Sequence, residues 1–128
     1  MGATSLDQFA EMYAGAYRTH DPEAVADMYE DNAIFAMPVS GIPIAIGRAA
    51  IVQRITDIFA MTSDIEWSHD DPVMVVEVGD YVIAHQTFRS RATLIDGTQT
   101  VTDARATFVL HRVEDGNWRV VIDHGSSP

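Results

Sequence analysis

The chain has no cysteine, which excludes disulfides, thiolate catalysis and cysteine-based zinc sites. It has no lysine either: all 8 basic residues are arginine, so no Schiff base can form on a lysine amine. No apolar run approaches the roughly 20 residues that span a bilayer. The N-terminus, Met1 to Ser5, lacks a basic stretch followed by a long apolar one, so no secretory signal is expected. Ser5 also misses the sixth position that myristoylation requires. No GxGxxG, P-loop, GxSxG or HExxH pattern occurs, so no cofactor is expected and a serine triad has no support. Positive charge is scarce against 19 acids, for a formal charge of −11. Such a surface does not neutralise phosphates, so neither nucleic acid nor an anionic membrane is an expected partner. The charge suits solubility, and the expected location is cytoplasmic.

What is present fits one globular domain over residues 1–128, with 47% apolar residues and enough length for a core. Ser5 and Gln8 form a capping box. Leu6, Phe9, Ala10, Tyr13 and Tyr17 then follow helical spacing, predicting a helix over about 6–18. Asp21-Pro22-Glu23 reads as N-cap, first-turn proline and acidic first turn of a short helix over about 22–29. Ala33 to Met37 is a short strand stopped by Pro38, and residues 38–47 form a loop rich in breakers. A third helix follows over about 48–60, with Ile51, Ile55, Ile58 and Phe59 on one stripe. Four strands close the chain, over roughly 64–78, 80–95, 100–113 and 117–124. Asp115-Gly116 between two alternating runs is a strong hairpin signal. Helices followed by an antiparallel sheet make an α+β class. The sheet is expected to curl around the helices and leave a cone-shaped cavity.

Three segments are similar to a known group. The stretch from Asp21 to Phe35 resembles the second-helix and first-strand signature of the nuclear transport factor 2-like superfamily. Gly47 to Ile51 resembles its third-helix entry, and Asp115 to Ser126 its closing hairpin. The group includes SnoaL-like polyketide cyclases, ketosteroid isomerases and limonene epoxide hydrolases. The ending His124-Gly125-Ser126 resembles that of the calmodulin-kinase association domain. The resemblance implies the cone fold, while the fold hosts enzymes, binding modules and assembly domains alike. The ketosteroid isomerase machinery does not carry over. Its base would fall on Met37 and its oxyanion-hole aspartate near Ala106; only Tyr13 matches. Without a base near the substrate's α-carbon, that isomerisation has no proton acceptor. Asp103 and Arg105 have spacing similar to part of the epoxide hydrolase set, but the register puts them outside the pocket. The association domain's pocket arginines would fall at Thr87 or Arg89, Phe108 and Gly125.

Strand alternation sorts residues by face. A two-residue turn at Asp115-Gly116 sets Leu110 opposite Val121, Phe108 opposite Asp123 and Ala106 opposite Gly125. A hairpin through 96–99 sets His85 beside Leu110, Thr87 beside Phe108 and Arg89 beside Ala106. One face then carries His85, Thr87, Arg89, Ala106, Phe108, Leu110, Val121 and Asp123. The other carries Gln86, Phe88, Arg105, Thr107, Val109, His111, Trp118, Val120, Ile122 and His124. The resemblance puts the first face inside the cone. Both faces are apolar enough to be covered, one by helices and the other by a second copy in a homodimer.

Asp123 is the sharpest candidate: a carboxylate on an apolar strand could be a general base, or could pair with Arg89 across small Ala106. His85 could act as an acid or base, or hydrogen-bond a helix tyrosine. Tyr13 and Tyr17 could donate to a substrate carbonyl, or be core aromatics with satisfied hydroxyls. Phe35, Met37, Phe59, Met61 and Trp67 are candidate pocket walls, with Thr87, Arg89, Phe108, Leu110 and Val121 lining the sheet side. In the run His69-Asp70-Asp71, His69 and Asp71 share one strand face, but no third ligand is identifiable, so a solvated strand end and no metal are expected. The expected protein is a small-molecule pocket protein: a cofactor-independent isomerase, cyclase or hydratase acting on an apolar carbonyl compound. The alternative is a non-catalytic ligand-binding or assembly module.

Overall fold

The computed structural model describes residues 6–36, 44–69, 74–113 and 117–126. Helix α1 spans Leu6–Arg18, the predicted bounds, and buries Phe9, Tyr13 and Tyr17 along one stripe. Ser5 of the capping box lies outside the described residues. After α1, His20 takes a left-handed backbone (φ 59), and its Nε2 lies 2.8 Å from the Thr62 carbonyl and 3.2 Å from that of Phe59. The end of α1 is thereby tied to the far end of α3. Helix α2, Pro22–Ala26, starts on Asp21, whose side chain accepts from the Glu23 amide. It stops earlier than its periodicity suggests because the sheet takes over. The Val120 amide donates to the Met28 carbonyl at 2.8 Å, and Tyr29 opens strand β1, Tyr29–Ala36. A two-residue strand β2, Ala45–Ile46, leads into helix α3, Arg48–Met61, which buries Ile51, Ile55 and Phe59. Arg48 bridges Glu23 and Asp27 beside α2 at 2.8 and 2.7 Å.

The strand expected over 64–78 is two: β3, Thr62–His69, and β4, Met74–Val78. Both pair with the long β5, Tyr81–Leu94, β4 along its first half and β3 along its second. Strands β6, Gln99–Arg112, and β7, Trp118–Ser126, complete the sheet, whose order is β2-β1-β7-β6-β5-β3. The sheet is antiparallel except where β1 runs parallel to β7. Three helices on a mixed, mainly antiparallel open sheet give the expected α+β architecture. No helix among the described residues is long and apolar enough to cross a membrane.

Register departs from expectation in two places. The β5–β6 hairpin closes through Ile95, Asp96 and Gly97, with the Leu94 amide donating to Thr98 and the Gly97 amide to Leu94. Gly97 adopts φ 89, the left-handed residue that ends such three-residue loops. The loop is one residue shorter than the expected 96–99, and it starts one residue earlier. Thr93 therefore faces Gln99, Ala84 faces Phe108 and His85 faces Thr107. The offset is odd, so it exchanges the two faces of β5. In the β6–β7 pair, Phe108 faces Asp123 and Ala106 faces Gly125 as expected. A bulge between Val109 and Leu110 then sets Leu110 opposite Val120 rather than Val121. The Asp115-Gly116 turn itself lies outside the described residues.

Candidate functional site

The inner sheet face and the helices enclose a core in which Asp123 is fully buried. Strand β7 carries it inward between Val120 and Gly125, opposite Phe108. Its Oδ2 accepts from the Tyr13 hydroxyl at 2.7 Å and from the Tyr29 hydroxyl at 2.6 Å. Its Oδ1 has no hydrogen-bond partner among the described residues. The Tyr13 and Tyr29 oxygens are 3.1 Å apart, and the Tyr17 oxygen stands 3.4 Å from that of Tyr13. Three tyrosines thus gather around one carboxylate. Burial pushes the Asp123 carboxyl up to about 6, against the opposing effect of the two tyrosine hydrogen bonds. The same burial, with the carboxylate beside them, holds all three phenols above their ordinary range.

A cavity of about 240 Å³ opens next to this cluster. Tyr17 forms part of its wall; neither Tyr13 nor Asp123 does. The helix and β3 side of the wall is Ile58, Met61, Thr62, Ile65 and Trp67, with Phe35 from β1. The sheet side is Phe88, Ser90, Ala92, Leu94, Thr100 and Thr102. Aromatic rings meet closely there: Trp67 is 5.2 Å from Tyr17 and 4.8 Å from Phe88, centroid to centroid.

Several sequence expectations are corrected here. His85, Thr87 and Arg89 lie on the outer face, because the short hairpin loop reverses the parity of β5. The His85 Nδ1 is 2.9 Å from the Thr107 hydroxyl. Thr87 stands opposite Arg105. Arg89 does not reach Asp123; it holds Asp103 with two hydrogen bonds at 2.7 and 3.1 Å. Val121 falls in the bulge, and Val120 takes the inward position. Phe108 and Leu110 do face inward, yet they are core rather than cavity wall; Phe108 packs on Tyr13 and Phe9. Phe59 also stands behind the wall, edge-on to Tyr17 and stacked on His20. Met37, Asp70 and Asp71 lie outside the described residues. Among those described, no group of three potential metal ligands occurs. Trp118 turns inward, and His124 outward to an exposed position.

The site residues that sequence reasoning missed are Tyr29, Ile58, Thr62, Ile65, Phe88, Ser90, Ala92, Leu94, Thr100 and Thr102. For Phe88, Ser90, Ala92 and Leu94 the missing signal was the three-residue loop ending in Gly97; Thr100 and Thr102 lie on the face of β6 already expected to be inside, with Ala106 and Phe108. A tyrosine at the start of a strand carries no mark of its partner 94 residues away.

This helix-and-sheet arrangement defines the nuclear transport factor 2-like class. A family model of the SnoaL-like domain matches residues 9–121, and the chain belongs to that family. No curated protein matches it. Among solved structures it is similar to a Xanthomonas campestris protein provisionally described as a calcium/calmodulin-dependent protein kinase II association domain. The two are 19% identical over 96% of this chain and 85% of the other, with a TM-score of 0.85. A nuclear transport factor 2-like superfamily protein from Salmonella enterica serovar Typhimurium is 20% identical, covering 93% and 85%, with a TM-score of 0.80. A ketosteroid isomerase-like protein from Erwinia carotovora atroseptica is 22% identical, covering 93% and 92%, with a TM-score of 0.75. At these identities the likeness shows the fold alone.

Proposed function

We propose that this protein is a cofactor-independent enzyme that moves a proton at a carbon next to a carbonyl in an apolar substrate. The observation that carries the reading is the chain of oxygens from the cavity wall inward: Tyr17, then Tyr13 at 3.4 Å, then Asp123 at 2.7 Å. A carboxyl poised near 6 exchanges its proton close to neutral pH, as acid–base catalysis requires. In this reading Tyr17 gives its proton to the substrate's carbonyl oxygen as a water molecule in the cavity takes the α-proton, and the proton lost by Tyr17 is restored along Tyr13 from the Asp123 carboxyl. Asp123 is a positioning residue, acting through Tyr13 rather than by touching the substrate. His85 has no part in it.

Deuterium exchange into the α-position of aryl ketones in D₂O, followed by proton NMR, tests this without knowledge of the natural substrate. The wild type should accelerate exchange, and Asp123→Asn and Tyr17→Phe should each slow it by about 10² to 10⁴. Ketones that bind without any accelerated exchange would overturn the enzyme reading. They would favour a ligand-binding module, a reading supported by the absence of Asp123 from the cavity wall.

The reading includes a homodimer built on the outer sheet face. There Met74 and Val78 are 51% and 57% exposed, and Val76 and Tyr81 continue the patch. Sedimentation equilibrium should give twice the chain mass of 14.1 kDa. Val76→Lys should return the monomer, because burying an unpaired charge in such a contact is costly. A dimer unaffected by Val76→Lys would place the contact elsewhere. A cytoplasmic location belongs to the same reading.

A further inference from the structure

The polarity of the cavity wall restricts what can enter. Among the described residues, no charged side chain and no histidine lines it. The nearby arginines Arg89 and Arg91 alternate with the wall residues of β5 and so point to the other face. The wall's polar side-chain groups are the hydroxyls of Tyr17, Thr62, Ser90, Thr100 and Thr102 and the indole N–H of Trp67. The Thr62 hydroxyl already donates to the Ile58 carbonyl at 3.0 Å. Tyr17 offers the hydroxyl nearest the Asp123 cluster, since the Tyr13 proton is directed to the carboxylate. Ser90 and Thr102 form a cross-strand pair, with Thr100 one inward step nearer the hairpin.

An anion entering this space would lose its hydration without meeting a cation, and would approach a carboxyl. An ammonium group would meet no carboxylate on the wall itself. The volume sets a second limit. A cavity of about 150 Å³ accepts benzene, so about 240 Å³ suits one or two rings rather than a polycyclic system. Trp67, Phe88, Tyr17 and Phe35 present ring surfaces to such a ligand.

We propose that the cavity selects an uncharged one- or two-ring aromatic ketone or phenol, with a carbonyl-type acceptor toward Tyr17 and a polar substituent toward Ser90 and Thr102. This rests on the reading of the cavity as a ligand site and names the ligand class for it.

Three probes of one shape separate the possibilities: 4′-hydroxyacetophenone, 4-hydroxybenzoate and 4-hydroxybenzylamine. They share the ring and the para hydroxyl and differ in the charge of the other end. Trp67 lines the cavity and Trp118 does not, so fluorescence in a Trp118→Phe background reports occupancy, with calorimetry of the wild type alongside. The ketone should bind at least tenfold more tightly than either ion. Loss of one hydrogen bond in Tyr17→Phe should weaken it about tenfold. Thr102→Val should weaken 4′-hydroxyacetophenone about fivefold and leave acetophenone unchanged. Ala92→Trp fills the space and should abolish binding. Binding of an ion as tight as that of the ketone overturns the ligand class and leaves the cavity as a ligand site. Ketone binding that survives Ala92→Trp overturns the assignment to this cavity. No binding by any probe overturns the ligand-site reading, and the class with it.

Discussion

Asp123→Asn is expected to gain about 2 to 3 kcal/mol on the wild type between pH 4 and pH 7.5 in urea unfolding. The reason is the displacement of the buried carboxyl from 3.8 to about 6, caused first by desolvation. A salt-bridged aspartate has its value lowered and adds stability at neutral pH. Here the sign is opposite. Below pH 3.8 the group is protonated in both states and contributes nothing. Between 3.8 and about 6 the unfolded chain ionises first and holds fewer protons than the native protein. Stability therefore falls across that window and stays lowered above it. Asparagine can accept both tyrosine hydroxyls through its oxygen, but it leaves its amide where Oδ1 already lacks a partner. That deficit costs about 1 to 3 kcal/mol at any pH, so it cancels when the variant is compared with itself at the two pH values. A difference between variant and wild type that is constant from pH 4 to pH 7.5 would show that Asp123 titrates normally. Wild-type stability given up at neutral pH is the pattern expected where a charge is buried for function.

Phe108→Ala is expected to cost about 3 to 5 kcal/mol, the range for truncating a buried aromatic. Phe108 is 5% exposed, meets Tyr13 at 5.6 Å and Phe9 at 6.1 Å, and faces Asp123 across the β6–β7 ladder. Its removal opens a void beside the carboxyl. Water entering that void would relieve the desolvation, so the wild type's loss of stability between pH 4 and pH 7.5 should shrink in the variant. Phe108→Leu keeps most of the volume and should cost about 1 kcal/mol with the pH dependence retained. Unfolding of the three proteins at both pH values checks this. A cost below about 1 kcal/mol for Phe108→Ala would mean that the core closes over the gap.

Much of the molecule was legible before folding was considered. The stripe of Phe9, Tyr13 and Tyr17 defined α1 because a helix repeats every 3.6 residues, whatever surrounds it. Asp21-Pro22 marked the start of α2 because its capping groups are local. The pairing of Phe108 with Asp123 also followed from the chain, although the bulge at Leu110 moved the rest of that ladder by one residue. Where α2 ends was not legible, since Tyr29 leaves the helix to pair with Val120 from the far end of the sequence. The face of β5 was not legible either: alternation names two sets of residues without saying which is inside.

By itself the sequence determined the α+β order of elements, the lack of thiol and lysine chemistry, and the aspartate at the heart of the last strand. Those are local or compositional properties. Only the tertiary structure decided that His85, Thr87 and Arg89 face away from Asp123, because one residue in the Gly97 loop inverts a whole strand. It also decided that Tyr29 and Tyr13, rather than an arginine, hold the carboxylate. A buried charge takes its partners from whatever the fold brings within hydrogen-bond reach, and those contacts span 94 and 110 residues of chain.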